Sequence, residues 1–347
     1  MATVLVTGAA GYLGSWVVAE LLQQGHSVRG SVRSLNDAEK ITHLQALAAQ
    51  FPQRLQLFAA DLLSPGAFDA AAQGADVIMH TASPYIREAK GDPVQEIITP
   101  AVEGTRNVLA SASRSSSVRR VVLTSSIAAM SGSSAQTHAL PGHQLVESSW
   151  NTQSTAISDP YGYSKTQAET LAWDMAKAQQ QWELVCINPG AIFGPSRSRR
   201  IDGESVQMVL QFLRGQFASG VPELVLGIVD VRDVAAAHVA AAFQPAAQGR
   251  YLTVGASSNL LQIGQGISHA FPGLTKKMPA RQLPKWLIWL VGPLVGLPRA
   301  FVRNNVGFAT TYNNARSVAE LGIRYRPMTE TLRDHVAQLQ NDGLVGG

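Results

Sequence analysis

Two tyrosines and a lysine in the stretch DPYGYSKTQAE (159–169) are the residues of this chain best suited to moving a proton. Lys165 follows Tyr161 by four positions and Tyr163 by two. On a helix, residues four apart share a face, so Tyr161 and Lys165 come together while Tyr163 points elsewhere and is read as packing. A free phenol, pKa about 10, exchanges protons poorly near neutrality, but an adjacent ammonium favours the phenolate and brings the pKa toward working pH. Tyr161 is therefore the candidate acid and Lys165 its partner. Protonating an oxygen as a carbonyl is reduced would suit this pair and needs a third group to orient that oxygen. RRVVLTSSIAAM supplies Ser125 and Ser126 at the end of a predicted strand.

The elements that must position these groups follow from hydrophobic periodicity. TVLVTG, HSVRGSV, RLQLFAAD, ADVIMHTAS, RRVVLTSS and WELVCINPG read as strands, separated by amphipathic stretches at 12–24, 37–49, 94–113 and 163–180. Strands alternating with helices are buried on both faces, which predicts an α/β fold with a doubly wound parallel sheet and right-handed crossovers. Ligands of such sheets bind at the C-terminal strand ends, where Ser125 and Ser126 lie. After Pro189 the pattern breaks into Gly- and Pro-punctuated segments, recovering at VLGIVDVRDVAAAHVAAAF and GRYLTVG before a last helix at about 328–340. The expected division is a Rossmann domain over 1–188 plus about 225–257, and a smaller substrate-binding lobe over about 189–224 and 258–347.

VLVTGAAGYLGSWVVAELLQQG places Gly8, Gly11 and Gly14 between the first strand and the first helix. The first glycine permits the tight turn, the second lets backbone approach a pyrophosphate, and the third lets helix and strand pack closely. The anion then sits on the amides at the helix N-terminus, with Thr7, Gly8, Gly11, Tyr12, Leu13 and Gly14 as the expected cradle. An acid near the end of the second strand would read the ribose hydroxyl of NAD, whereas a cation there reads the 2′-phosphate of NADP. VRGSVRSLNDAEK offers Arg33 at that point and Lys40 seven residues on, so NADP(H) is the expected cofactor. Lys40 taken alone also fits a solvated helix lysine. Asp61 and the amide of Leu62 could hold the adenine edge; capping by Asp61 is the alternative.

Composition excludes several classes. The 347 residues are 46% apolar and 15% charged, with a formal charge of +4 and no run of five like charges, so a nucleic-acid partner is not indicated. The single cysteine, Cys186, cannot form an internal disulfide and reads as strand packing; no His/Cys cluster has zinc spacing. The opening MATVLVTG leaves no room for a signal segment, and a cytoplasmic protein is expected. LPKWLIWLVGPLVGLPRAF (283–301) is strongly apolar but broken by Pro284, Pro293 and Pro298, and it falls short of the roughly 20 residues that cross a bilayer. It reads as a broken helix pair closing over an apolar pocket or a subunit contact, with a homodimer and shallow membrane contact left open. Trp286 and Trp289 read as packing, with aromatic pocket walls suited to a hydrophobic or aryl ketone as the alternative. Arg197, Arg199 and Arg200 in GPSRSRR read as a solvated loop, with diphosphate or an anionic substrate tail as the alternative. His138 and His143 read as rim residues, and His80 as a satisfied core histidine.

Together TGAAGYLG, Arg33 with Lys40, ADLLSPGAFDAAAQGADVIMHTASP, VVLTSS and YGYSK resemble the extended short-chain dehydrogenase/reductase superfamily, in its dihydroflavonol 4-reductase and cinnamoyl-CoA reductase branch. The similarity runs from residue 3 to about 255. It implies that Ser126 hydrogen-bonds the substrate carbonyl, Tyr161 protonates it, and Lys165 holds the nicotinamide ribose while lowering the tyrosine pKa. It also implies that Thr81, Ala82 and Ser83, together with Ser125, line the cofactor trough, with Pro189, Gly190, Ala191 and Ile192 bordering the nicotinamide. Where flavonoid reductases carry a ring-reading asparagine this chain has Ser131, and the cinnamoyl-CoA reductase signature NWYCYGK becomes DPYGYSK, so neither plant substrate is assumed. The expected activity is NADPH-dependent reduction of a hydrophobic carbonyl. The alternatives are a 3β-hydroxysteroid-type dehydrogenase, a nucleotide-sugar epimerase or dehydratase, and a non-enzymatic NADPH-sensing protein.

Overall fold

The computed structural model describes residues 1–83 and 89–345; Pro84, which closes the quoted HTASP stretch, lies outside them. Runs rich in β-branched or other large apolar residues form the strands β1 (Thr3–Thr7), β2 (Ser27–Val32), β3 (Leu55–Ala59), β4 (Val77–His80), β5 (Arg120–Thr124) and β6 (Glu183–Pro189). The chain then leaves this sheet for β7 (Ala191–Phe193) and β8 (Val225–Asp230), and returns to it as β9 (Gly249–Thr253) before β10 (Ala256–Asn259). The main sheet has seven strands in the order β9-β6-β5-β4-β1-β2-β3, with every neighbouring pair parallel. The strand order reverses between β1 and β4, the place where ligands of open α/β sheets bind.

Alternation along β1 shows how the sheet is buried on both faces. Val4 and Val6 enter the core shared with α1 (Tyr12–Gln23), α2 (Ala38–Gln50) and α6 (Val231–Phe243), where they meet Val17, Leu21 and Val234. Leu5 enters the opposite core with Val108 and Leu109 of α3 (Thr99–Arg114) and Ala172 of α4 (Pro160–Lys177). Cys186 of β6 is fully buried in that second core, where burial pushes its thiol pKa up and makes it a packing residue.

Helix ends follow capping chemistry. Asp37 caps α2 by accepting from Lys40 N, and Asn259 and Gln262 form a capping box on α7 (Leu260–Ala270). α4 starts at Pro160, three residues before the periodicity suggests, because Asp159 accepts from Gly162 N and Pro160 occupies the first turn, where a missing N–H costs nothing. This puts Tyr161 inside the helix.

The smaller sheet, β10-β8-β7, packs with α5 (Glu204–Leu213), α7 and α10 (Met328–Asn341) around Phe193, Phe212, Ile263 and Leu332. Val225–Asp230 belongs to this sheet, so the chain's return to the Rossmann layers begins with α6 at Val231. Between α7 and α10 the greasy stretch forms α8 (Lys285–Val291) and α9 (Arg299–Asn305). Trp286 and Trp289 there are 68% and 44% exposed, so they face outward and do not wall an internal pocket.

Candidate active site

β1 ends at Thr7, and Gly8 takes φ +67°, the left-handed conformation that a tight turn into α1 requires. Side chains are excluded here by close approach: a Cβ on Gly8 would lie 2.9 Å from Ala82 Cα, and one on Gly14 would lie 2.3 Å from the Gly8 carbonyl oxygen. The first turn of α1 has no side-chain cap and no acidic residue. A bare backbone cradle opening on uncapped helix amides fits a pyrophosphate, by geometry and by the sign of the helix dipole. The side chains around the cradle knit β1 to β4. Thr81 donates to Thr7 O (2.6 Å), Ala82 N donates to Thr7 Oγ1 (3.2 Å), and Thr7 Oγ1 shares a 2.8 Å hydrogen bond with His80 Nδ1. Burial, helped by the nearby Lys165 ammonium, lowers the His80 pKa to about 3, so it is a neutral core histidine. Tyr12 turns away from the loop, its buried hydroxyl donating to Gly194 O, while Leu13 is buried in the core behind the cradle.

At the expected adenosine end, Arg33 follows β2, is exposed, and forms no ion pair among the described residues. Lys40 lies 2.6 Å from the Asp37 carboxylate, with its side chain 55% exposed. Asp61 accepts from Leu63 N (2.9 Å), a turn-capping bond; the Leu62 carbonyl accepts from Asn107 (3.0 Å). Of the arginines of GPSRSRR, two are engaged elsewhere and Arg197 keeps a buried Nε without a hydrogen-bond partner. Arg197 stacks on Trp16 (4.9 Å), Arg199 donates to the Asp342 carbonyl, and Arg200 pairs with Asp202.

On the other side of the strand-order reversal, α4 carries Tyr161 and Lys165 one turn apart. Lys165 is 8% exposed, donates to Ser83 Oγ at 3.0 Å, and sits 5.8 Å from the Tyr161 ring centroid. Burial lowers its pKa to about 8, against an opposing pull from the Glu169 carboxylate. Ser126 leaves β5 in extended conformation; its Oγ accepts from Ala128 N (3.1 Å), which leaves the hydroxyl proton to donate. Ser125, expected along the cofactor, is 5% exposed and gives its hydroxyl to Glu169 instead. A buried acceptor carboxylate draws it inward, so the side chain serves a network beneath the site.

That network escaped the sequence reading. Glu169 accepts from Arg250 Nε (2.7 Å), from Trp173 Nε1 (3.2 Å) and from Asn188 Nδ2 (2.9 Å), and Asn188 Nδ2 also donates to Ser126 O (3.2 Å). Two signals pointed to it: Glu169 continues the four-residue step of Tyr161 and Lys165, and Asn188 interrupts an apolar strand. After Pro189, Gly190 N donates to Thr253 O (3.1 Å), and a Cβ on Gly190 would lie 2.3 Å from Gly227 O. Ala191 and Ile192 then pair with β8, so this segment joins the two sheets at the expected nicotinamide edge. His138 and His143 stack at 3.8 Å in the loop before α4, with His138 bonded to Ala309 O. Ser131 is bound to Thr137 and Ser133 within the same loop.

Comparison with known proteins places this geometry. Residues 4–255 match the NAD dependent epimerase/dehydratase family. The chain is 34% identical over 341 residues to cinnamoyl-CoA reductase CAD2 of Medicago truncatula, covering 97% of this chain and 95% of that protein. It is 32% identical over 344 residues to tetraketide alpha-pyrone reductase 1 of Arabidopsis thaliana, covering 99% and 96%. Among solved structures, yeast methylglyoxal/isovaleraldehyde reductase Gre2, complexed with NADPH, superposes with a TM-score of 0.80 at 29% identity over 99% of this chain and 100% of that one. The glycine cradle, the Tyr161–Lys165 helix and these full-length likenesses agree: the chain belongs to the NAD dependent epimerase/dehydratase family of extended short-chain dehydrogenases/reductases, in the branch that holds the cinnamoyl-CoA and dihydroflavonol reductases.

Proposed function

We propose that this chain reduces a hydrophobic or aryl aldehyde or ketone to its alcohol with NADPH, acting reversibly as a secondary-alcohol dehydrogenase with Tyr161 as the proton donor. The observation that carries this reading is the buried Lys165 ammonium, held by Ser83 one helical turn from Tyr161. NADP(H) is its cofactor, and supplies the hydride when bound. The amides at Gly11, Tyr12 and Leu13 would hold the pyrophosphate, with Thr7, Gly8 and Gly14 shaping the turn. Arg33, unpaired, would take the 2′-phosphate, and Lys40 would assist from its pair with Asp37. Asp61 and Leu62 would border the adenine, Thr81, Ala82 and Ser83 the trough, and Pro189 to Ile192 the nicotinamide.

Each catalytic role has a physical basis. Ser126, whose Oγ already accepts a backbone N–H, donates its own proton to the carbonyl oxygen and steadies the charge developing there. Tyr161 delivers a proton to the same oxygen. Lys165 makes that delivery easier by favouring the phenolate left behind, and it hydrogen-bonds the nicotinamide ribose. Reductase relatives that span the whole chain support reduction over epimerisation. Ser131, tied into its own loop, supports a substrate other than a flavonoid.

Tyr161→Phe tests the reading. NADPH binding should persist while turnover on carbonyl substrates falls by about 10²–10⁴, the usual contribution of a positioned acid. Unchanged turnover would remove Tyr161 from the chemistry. Screening aryl ketones, diketones, steroids and cinnamoyl thioesters by NADPH oxidation then identifies the substrate.

A further inference from the structure

We infer that the outward face of α8 and the turn after it is a docking surface for an anionic lipid bilayer, holding this protein at the membrane–water interface without crossing it. Trp286, Trp289 and Leu290 lie at i, i+3 and i+4, on one face of α8. Leu294 and Val295 follow in a 3₁₀ turn. Their exposures are 68, 44, 55, 86 and 69% in that order. Five of the twelve markedly exposed large hydrophobics among the described residues thus fall within ten positions, which makes a patch and not scattered surface residues.

The patch is displayed by packed structure. Ile288 turns inward to Val302 and Val306 of α9, with Leu283 and Leu297 packed beside them. Lys285 donates to Arg303 O (3.1 Å) and lies over the Phe308 ring, and Arg299 stacks on Trp289 at 4.3 Å. Ser134 N donates to Asn305 Oδ1 at 3.0 Å, fixing α9 to the loop at the rim of the candidate active site.

Charge identifies the occupant. No aspartate or glutamate occurs from Val234 to Ala319. Along the chain on either side of the patch come Arg281, Lys285, Arg299 and Arg303, all exposed and none in an ion pair among the described residues, while the one acid placed beside them is the exposed Glu223, whose carbonyl accepts from Gly307 N. An apolar face that holds tryptophans and is flanked by several cations against one nearby acid, Glu223, matches the interface of an anionic bilayer, where indoles sit at headgroup depth and lysine or arginine heads meet phosphate. A second copy of this chain, face to face, would set two such groups of cations against each other with only Glu223 of each copy to offset them. A span is excluded by length: α8 has seven residues, and no helix of the described residues is long and apolar enough to cross.

The test is flotation of the full chain with extruded vesicles of phosphatidylcholine alone or mixed with phosphatidylglycerol, at low and high salt. The expected result is association with the anionic vesicles that weakens as salt rises and is far weaker with phosphatidylcholine. Trp286→Ser with Leu294→Ser should reduce the partition coefficient by about tenfold or more, since both side chains are exposed and their apolar area enters the bilayer. Arg281→Glu with Arg303→Glu should reduce it comparably at low salt. Both variants should keep the wild-type melting temperature and NADPH affinity, which separates lost docking from lost folding. Vesicle binding that is absent in the wild type, or unchanged in the apolar variant, overturns the inference. So does a concentration-dependent dimer in sedimentation velocity that the apolar variant dissolves, because the face would then be this chain's own interface.

Discussion

Gly14→Ala probes the cradle most directly. The added Cβ would stand 2.3 Å from the Gly8 carbonyl oxygen and 3.0 Å from Thr81 Oγ1, whereas real Cβ contacts essentially never fall under 3.0 Å. The two backbones must therefore part by at least about 0.7 Å, the difference between those values. Gly8 has little room to yield, because the Ala82 backbone lies close against it. The first turn of α1 has to move, and overpacking of this kind costs about 1–3 kcal/mol, a fall of about 1–4 °C in Tm for a chain of this size. The larger effect falls on the cofactor. Donors displaced by that amount leave hydrogen-bonding range, and one lost bond to a charged group is worth about 1.5–3 kcal/mol, or about 10- to 150-fold in NADPH affinity. The assay is NADPH fluorescence titration beside thermal denaturation. Gly11→Ala separates the two effects, because its Cβ would meet the same oxygen at 3.1 Å, a contact that small adjustments relieve, so the melting temperature should hold while the methyl group obstructs the pyrophosphate. Were Gly14→Ala to bind NADPH within about twofold of wild type and melt with it, the glycines would not be holding the pyrophosphate.

At the adenosine end, Arg33→Ala should weaken NADPH by about 10- to 100-fold and leave NADH almost untouched, because the guanidinium is in no ion pair among the described residues; Lys40→Ala should cost less, because Lys40 is already paired with Asp37. Equal losses for both cofactors in titrations of the two variants would disprove the 2′-phosphate assignment. Acid stability follows from the buried histidines. His80, His238 and His335 have pKa values lowered by burial to about 3, 4 and 4, against about 6.5 for a histidine in the unfolded chain. Each is neutral when folded, so the unfolded state binds the extra proton and stability falls as pH drops below 6.5, by about 1.4 kcal/mol per unit for each histidine until its folded pKa is reached. Chemical denaturation between pH 7 and 4.5 measures this, and a flat profile would mean these imidazoles titrate freely in the fold.

What could be read from sequence was what local spacing determines. Tyr161 and Lys165 declare their shared face because four residues make about one turn, and the glycine spacing declares a tight strand-to-helix turn because nothing larger fits at Gly8 or Gly14. The doubly wound parallel sheet was legible because strands buried on both faces carry continuous apolar runs, although the same signal put Val225–Asp230 in the wrong sheet. The helix start at Pro160 was obscured because proline and glycine read as breakers, when Asp159 makes them the first turn of α4. Trp286 and Trp289 were ambiguous for a different reason. An apolar residue reads alike whether it lines a pocket or faces out, and only the packing of Ile288 against α9 decides which side is inward.

The Glu169 network lay beyond local reasoning because its partners are remote: Arg250 is 81 residues away and Asn188 is 19. Its burial changes how the site is held together. Glu169 is 1% exposed and Arg250 7%, a pairing whose desolvation cost rivals its Coulomb attraction, so it adds little net stability. What it supplies is position. One carboxylate binds Ser125 next to Ser126, binds Asn188, which in turn holds the Ser126 carbonyl, and opposes the fall in the Lys165 pKa. The strand end that offers a hydroxyl and the helix that offers a phenol and an ammonium are thereby referred to a single buried charge. A displacement of β5 relative to α4 would have to break charge-assisted hydrogen bonds in a water-poor interior, where they are hardest to replace.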